Sequence, residues 1–426
     1  MSFTAPGREQ NFVLKHIADI GELASHDRFA GASEDMVEAI VEGIGQFAEG
    51  EFAPLNRIGD TEGAQWRDGK VTLPAGYKEA YAHFVEGGWA SIDGPEEFGG
   101  QGLPYSLSAL ILETSGAANF AFTLCPMLSF GAIEAIHAHG SDEQKARYLP
   151  NLISGAWTGT MNLTEPQAGS DVGALRSTAE PITEGEHAGK YRIKGQKIYI
   201  TFGEHDLTDN IIHLVLARTP GAPEGTRGIS LFIVPKFHLD ADGKVGAPND
   251  VTCVSIEHKI GIHASPTCVM AYGEQGECIG EMIGGEFGGM KAMFTMMNNA
   301  RINVGSQGVQ IAERATQQAS RFAMERIQSA RAGSGDKAPV AIIEHPDVRR
   351  MLLRSKALTQ AARALLYYAS SSVDRATLGI EGAKSRAEIL TPLIKGYGTD
   401  IGNEVASIGV QVHGGMGFVE ETGAGD

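Results

Sequence analysis

The chain has 426 residues, 35 Lys and Arg against 52 Asp and Glu for a net charge of −17, and 42% hydrophobic residues. That length accommodates two or three domains, each able to bury a core, and the composition excludes collagen, a disulfide knot and a disordered chain. The acidic balance opposes tight binding to nucleic acid or to an anionic membrane, because both need a concentrated cationic face.

Residues Met1 to Glu22 are mixed and charged with no apolar signal segment, so residues 1–33 read as an N-terminal extension. Ser33 is placed to cap a helix whose apolar positions Met36, Val37, Ile40, Val41, Ile44 and Phe47 follow a 3.6-residue period. The stretch Thr114 to Ile133 is 20 residues without charge, yet Gly116, Asn119 and Pro126 within it favour a buried helix–turn–helix over a membrane span. Ser141-Asp-Glu-Gln144 has the pattern of a capping box. Residues 34–160 are therefore expected to form a helical domain. From 161 to 285 short β-rich runs follow (191–193, 197–201, 213–217, 229–234, 251–256 and 268–272), separated by Gly, Pro and Asp, which predicts a small antiparallel sandwich or barrel. After Gly289 the helical period returns with Met290, Met293, Phe294 and Met297, and again with Leu358, Ala361, Ala362, Leu365, Leu366 and Ala369. Residues 286–426 read as a helix bundle, with Arg331 to Pro339 a solvated loop between two helices. The α+β order, helices then strands then helices, argues against a doubly wound nucleotide fold.

Cys125, Cys253, Cys268 and Cys278 are too few and too irregular for a disulfide framework and form no CxxC pair, which fits a reducing, cytoplasmic setting. GxxxxGK[ST], GxSxG, HExxH and a GxGxxG between strand and helix are all absent. His258 and His263, five apart in an extended segment, face opposite sides, so no metal site is expected.

Three segments carry chemistry. Leu163-Thr-Glu-Pro-Gln-Ala-Gly-Ser-Asp-Val172 joins the helical region to the sheet. It has the composition of a plain junction loop, and equally offers Thr164 and Ser170 hydroxyls to a polar ring or phosphate, with Ala168 and Gly169 admitting a close approach. In Gly195-Gln-Lys-Ile-Tyr-Ile-Thr201, alternation puts Tyr199 and Thr201 on one face, suited to stacking on a ring and bonding its edge, or to cross-strand packing. Gln411-Val-His-Gly-Gly-Met-Gly-Phe418 follows an apolar helix ending near Val410, and is a glycine C-cap or a binding turn.

In this order and at these intervals the three segments resemble the acyl-CoA dehydrogenase family. Pro95-Glu-Glu-Phe-Gly-Gly-Gln-Gly102, Gly140 to Lys145 with Tyr148-Leu-Pro150, and Arg227 to Pro235 extend the match from about residue 34 to the end. The N-terminal extension, Glu257 to Pro266, Met296 to Arg301 and Ile343 to Arg349 are similar to the longer bacterial branch that includes the 3-methylmercaptopropionyl-CoA dehydrogenases. The resemblance implies FAD bound between the sandwich and the bundle, and oxidation of an acyl-CoA thioester, 3-methylmercaptopropionyl-CoA or a fatty acyl-CoA, to the trans-2-enoyl-CoA. It implies that Met161, Leu163, Thr164, Gly169, Tyr199, Ile200 and Thr201 touch the isoalloxazine and ribityl chain, with Ser170 toward the CoA side. Arg326, His345, Gln411, Gly414 and Gly415 would serve the adenosine and pyrophosphate end across a homodimer interface, and Asn298 and Arg301 would meet the CoA.

The chain departs from the family at Met161, where many members have an aromatic, at Tyr199 (Trp), at Pro346 (Gln) and at Asn298 (Asp). The reaction needs a carboxylate to take the α-proton. In most members that base lies in a Tyr-Glu-Gly-Thr motif after the Gly-Gly-x-Gly-Phe segment, and a minority place it where this chain has Ala300. Neither location holds a carboxylate here, and Glu420 and Glu421 precede the motif's place, so the base Glu is expected beyond residue 426 and the chain reads as C-terminally truncated. The resemblance further implies acyl-CoA as substrate, electron-transfer flavoprotein as partner and a homodimer or tetramer, without nucleic acid or membrane. An acyl-CoA oxidase of the same fold, or an inactive or nucleic-acid-binding flavin-containing scaffold, are the alternatives.

Overall fold

The computed structural model describes residues 3–240 and 243–425, which form two compact units. One gathers Met1–Arg57, Gly102–Phe120 and Arg301–Asp426, and the other Ile58–Gln101 and Ala121–Ala300. The helical segment expected at 34–160 thus contributes to both, changing unit after Arg57, Gln101 and Phe120; Asn119 separates helices Tyr105–Ala118 and Phe120–His139. The uncharged stretch is therefore two helices broken at Asn119, as its Asn suggested, whereas Pro126 lies inside the second helix. Among the described residues one helix, Phe120–His139, is long and apolar enough to cross a membrane, and 78% of its apolar window is buried.

In the helical unit the first residues are no loose extension. They form helices Gly7–Val13 and Ile20–Ala24, with Leu14, Ala18 and Leu23 fully buried. Ser33 caps helix Glu34–Phe47 by accepting from the Met36 N–H at 3.4 Å, while Val37, Ile40, Val41 and Ile44 face inward and Met36 outward. The Tyr105–Ala118 helix has its cap supplied from far along the chain. Asp374 accepts from the amides of Tyr105 (2.6 Å) and Ser106 (3.1 Å) and from the Ser106 hydroxyl (2.5 Å), satisfying donors that a helix start leaves open. Three long helices complete the unit, of which Pro346–Thr377 and Ala383–His413 lie wholly within it and Gly289–Glu325 enters it at Arg301. The Arg331 to Pro339 loop does not simply join two helices. It closes a small hairpin of Ile327–Ala330 with Pro339–Ala341.

The other unit centres on an eight-stranded sheet: β1 (Trp157–Asn162), β2 (Thr178–Pro181), β3 (Tyr191–Thr201), β4 (Asn210–Ala217), β5 (Ser230–Pro235), β6 (Val251–Ile256), β7 (Thr267–Tyr272) and β8 (Ile279–Ile283). The order is β6-β7-β3-β8-β5-β4-β1, with β2 also on β3. Every pairing is antiparallel except β1 with β4, which run parallel from Trp157↔Asn210 to Asn162↔Val215. The two runs at 191–193 and 197–201 are one strand. Strands β4 and β5 are buried along their whole length, which is why they read as largely apolar runs, with the buried Asn210 and His213 as the polar positions of β4. All four cysteines are free and buried, behaving as small hydrophobes.

The expected capping box forms at the Asp142–Ser154 helix. The Gln144 N–H donates to Ser141 Oγ (3.2 Å), the Ser141 N–H donates to Gln144 Oε1 (3.0 Å), and Gln144 Nε2 reaches on to the Met282 carbonyl in β8 (2.9 Å). Ser141→Ala is expected to cost about 1 kcal/mol, read as a lowered midpoint in urea unfolding. Gln144→Ala should cost more, because it removes the tie to the sheet as well; equal losses would show that the tie contributes nothing.

Candidate functional site

The first chemical segment leaves β1 and folds back on β3. Its anchor is Glu165, fully enclosed and surrounded by donors. Glu165 Oε1 accepts from Lys197 Nζ (2.8 Å), the Ser177 hydroxyl (2.6 Å) and the Ser177 N–H (3.1 Å); Oε2 accepts from the Arg176 N–H (2.6 Å) and Gln167 Nε2 (2.6 Å). Burial pushes this carboxyl up, but the Lys197 ammonium and the hydrogen bonds outweigh it and bring it down to about 2. Burial likewise pulls Lys197 down, with Glu165 opposing, to about 8. Lys197 also donates to the Leu163 carbonyl (3.2 Å), and the Ile198 N–H donates to the Thr164 carbonyl (2.9 Å).

Strand β3 is irregular where this loop lands on it. Its register against β7 slips, Cys268 facing Ile200 and Met270 facing Lys197, so β3 has a bulge at Ile198–Tyr199. Tyr199 has φ 60° and Phe202 φ 49°, left-handed conformations that cost a non-glycine residue about 1–3 kcal/mol each. Strict alternation would put Lys197 on the face of Tyr199 and Thr201; the bulge instead turns Lys197 inward, while Tyr199 is 60% exposed, Thr201 half-buried beside it, and Ile200, 2% exposed, sits in the sheet's hydrophobic core. Met161, Leu163 and Thr164 are half-buried, and Gly169 and Ser170 exposed. Thr160 Oγ1 donates to the Thr201 carbonyl (2.7 Å), tying the end of β3 to β1. The unit thus brings Leu163, Thr164, Tyr199 and Thr201 together around one clamp, with Met161 on the adjoining strand.

The second group lies in the helical unit. Arg326 ends the long helix, and its backbone carbonyl accepts from the Ile342 N–H (2.8 Å) across the hairpin, while His345 Nε2 bonds the Gln328 carbonyl (2.8 Å). The Ala383–His413 helix runs three residues past Val410. Its buried His413 ring lies against Phe322 (centroids 4.5 Å), one turn before Arg326. Gly414 has φ 60° and ψ −138°, a conformation for glycine that is not the simple left-handed cap. Arg326, Gln411, Gly414 and Gly415 are exposed and His345 half-buried, at one end of this unit. Exposed Asn298 and half-buried Arg301 sit three residues apart in the Gly289–Glu325 helix.

Three models of the acyl-CoA dehydrogenase family match the chain: the N-terminal domain over residues 34–156, the middle domain over 160–273 and the C-terminal domain over 288–425. The chain belongs to the acyl-CoA dehydrogenase family. It is 50% identical to 3-methylmercaptopropionyl-CoA dehydrogenase of Ruegeria pomeroyi over 99% of this chain and 71% of that protein. It is 39% identical to a butyryl-CoA dehydrogenase of Syntrophomonas wolfei over 97% and 70%. Among solved structures it resembles a chain described as an electron transferring flavoprotein of Acidaminococcus fermentans, with TM-score 0.73 and 26% identity, covering 92% of this chain and 90% of that one. Membership makes this an oxidoreductase acting on CH–CH bonds, of an FAD-dependent family.

The residues present fit a flavin. Among the described residues the Thr164 N–H and hydroxyl have no hydrogen-bond partner, both flanking carbonyls being taken by β3. Beside them Tyr199 offers an open aromatic face. No group of His, Cys, Asp and Glu suited to a metal ion occurs among the described residues. His263 bonds the Asp60 carbonyl through Nδ1 (2.7 Å) and the Lys259 carbonyl through Nε2 (3.0 Å), a structural role.

Ala300, half-buried in its helix, carries no proton-accepting group. Glu420 and Glu421 lie exposed on the turn Glu420–Thr422. Sequence reading missed Glu134, which hydrogen-bonds Asn299, the neighbour of Ala300. Glu134 is exposed on its helix, but crowding around its carboxyl holds it up at about 7, with Asn299 opposing and Asp93 reinforcing. It also missed the Glu165–Lys197 pair, although both residues stand inside the quoted motifs.

Proposed function

We propose that this protein carries out FAD-dependent α,β-dehydrogenation of an acyl-CoA, with 3-methylmercaptopropionyl-CoA as its substrate, passing the electrons to an electron-transfer flavoprotein. The observation that carries the reading is the clamped Leu163–Ser170 loop, which turns Thr164 outward beside Tyr199 and Thr201 on the bulged strand. The 50% identical relative supports the substrate, and the solved electron transferring flavoprotein chain supports the partner.

Bound FAD supplies the acceptor for the hydride that leaves Cβ when the α-proton is removed. Met161, Leu163, Thr164, Tyr199 and Thr201 hold its ring and ribityl chain; Gly169 admits close approach and Ser170 faces the CoA side. Asn298 and Arg301 bind the CoA, Arg301 by charge. Arg326, His345, Gln411, Gly414 and Gly415 serve the adenosine and pyrophosphate end of a partner subunit's FAD. A homodimer or tetramer follows from that role. The outer face of the Ala383–His413 helix supports it, with Ile389 64%, Leu393 52% and Tyr397 41% exposed at i, i+4 and i+8. The setting is cytoplasmic.

The purified protein is expected to be yellow with about one FAD per subunit. Thr164→Val with Thr201→Val should weaken FAD retention by about 1 kcal/mol for each hydroxyl removed, measured by flavin fluorescence on titrating the stripped protein. Adding 3-methylmercaptopropionyl-CoA or butyryl-CoA without air should perturb or bleach the flavin spectrum, more strongly for the former. A flavin-loaded protein whose spectrum answers to no acyl-CoA overturns the reading.

A further inference from the structure

We propose that Lys197 is a positioning residue for the flavin, acting through the backbone of Thr164 rather than by touching the cofactor. The inference rests on the FAD reading above and names the part of the chain that makes the site.

Four observations meet at this side chain. Lys197 is fully buried, and its ammonium has two acceptors, Glu165 Oε1 at 2.8 Å and the Leu163 carbonyl at 3.2 Å. The next residue, Ile198, directs its N–H to the Thr164 carbonyl at 2.9 Å, out of the ladder with β7. It is able to do so because the bulge lifts that stretch of β3 out of register, with Tyr199 held at φ 60°. The carbonyls on both sides of the Thr164 amide and α-carbon are thereby fixed to β3, which leaves the Thr164 N–H and hydroxyl as the outward donors.

The pair is asymmetric. Without Lys197, Glu165 keeps the two backbone donors of Arg176 and Ser177, the Ser177 hydroxyl and Gln167 Nε2. The turn closed by the paired Glu165 and Ala168 backbone bonds (3.1 and 2.9 Å) also stays. What is lost is the hold on Leu163. A buried charge pair is ordinarily weak evidence of stability, since desolvation offsets much of the attraction. Placement of the loop is the role this geometry singles out.

The test compares wild type and Lys197→Met, each stripped of FAD and titrated with it. Lys197→Met is expected to bind FAD on the order of tenfold to a hundredfold more weakly, because the Thr164 N–H and hydroxyl are no longer held in place to bond it, a loss of one to two hydrogen bonds, and to blur the vibrational structure of the flavin's visible band. The melting temperature of the stripped protein should fall by only a few degrees. Adding Thr164→Val should weaken binding no further, since Lys197 acts through Thr164. If wild type takes up no FAD, the functional reading itself fails. If wild type binds FAD and Lys197→Met binds it equally well, or if the two substitutions add in full, the positioning role is wrong. Should Lys197→Met not fold, Lys197→Gln, which keeps a neutral donor, carries the same comparison, with weakened FAD binding supporting the role and unchanged binding refuting it.

Discussion

Replacing Arg363 by Met is expected to destabilise the helical unit by about 3–5 kcal/mol, among the largest effects of any single substitution in this chain. Arg363 is fully buried in the Pro346–Thr377 helix. It donates through Nε to Glu113 (2.7 Å), through Nη2 to Glu313 (2.8 Å) and through Nη1 to Glu9 (2.9 Å). Glu113 and Glu313 are buried as well, and the Tyr367 hydroxyl donates to Glu113 Oε2 at 2.7 Å. Burial pulls the guanidinium's pKa down, but the two carboxylates hold it above its ordinary value; burial pushes Glu313 up, but Arg363 holds it below the usual carboxylate range. Removing the cation leaves the buried Glu313 carboxylate with desolvation unopposed, and it answers by taking up a proton. The loss against wild type should therefore be smaller at pH 5 than at pH 8, measured by urea unfolding at both. Arg363→Lys should fall between, because an ammonium cannot span three acceptors in the guanidinium's fork. A loss within about 1 kcal/mol that does not change with pH would show that the network contributes nothing net.

That network joins the first helix, the Tyr105–Ala118 helix and two long C-terminal helices, and no sequence pattern announced it. Glu9, Glu113, Glu313 and Arg363 are each unremarkable in a helical window; only the fold brings residues about 350 apart in the chain to one point. The same holds for Asp374, which caps a helix 269 residues earlier. Local features were legible because their physics is local: the Ser33 cap, the Ser141 box, and the apolar runs of β4 and β5. Strand β1 was missed because Trp157 and Met161 are separated by Thr-Gly-Thr, leaving no apolar run, and the segment follows closely on a helix. The hairpin at Ile327–Ala341 was missed because its loop is the conspicuous part. At the candidate site the motif segments stood out in the sequence by their turn formers and hydroxyls. The bulge was not, since it depends on the register of β3 against β7, which alternation alone cannot foresee. Lys197 consequently turned inward while Tyr199 stayed exposed, where strict alternation would put both on one face; Ile200, which the resemblance set against the flavin, lies in the core.

Gly308→Ala is the second large effect, and here two principles oppose each other. An alanine in mid-helix is ordinarily more stable than glycine by about 1 kcal/mol. Position 308, however, is where the Gly289–Glu325 helix crosses Ala383–His413 backbone to backbone. A Cβ there would lie 1.8 Å from the Gly398 carbonyl oxygen and 2.2 Å from its carbon; a Cβ on Gly398 would meet the Gly305 carbonyl oxygen at 2.4 Å, and one on Gly402 the Gly308 Cα at 2.8 Å. None of these neighbours is a flexible side chain able to swing aside. The helices must separate, and the overpacking, about 3 kcal/mol or more, exceeds the propensity gain. Gly50→Ala is the control of opposite sign. It lies exposed in the helical run from Glu34 to Glu62, and a Cβ there meets nothing within 4 Å. It should raise stability by up to about 1 kcal/mol. Thermal unfolding of both variants decides the matter: Gly308→Ala as stable as Gly50→Ala would mean that the two long helices shift apart freely, and that their close crossing does not hold the helical unit together.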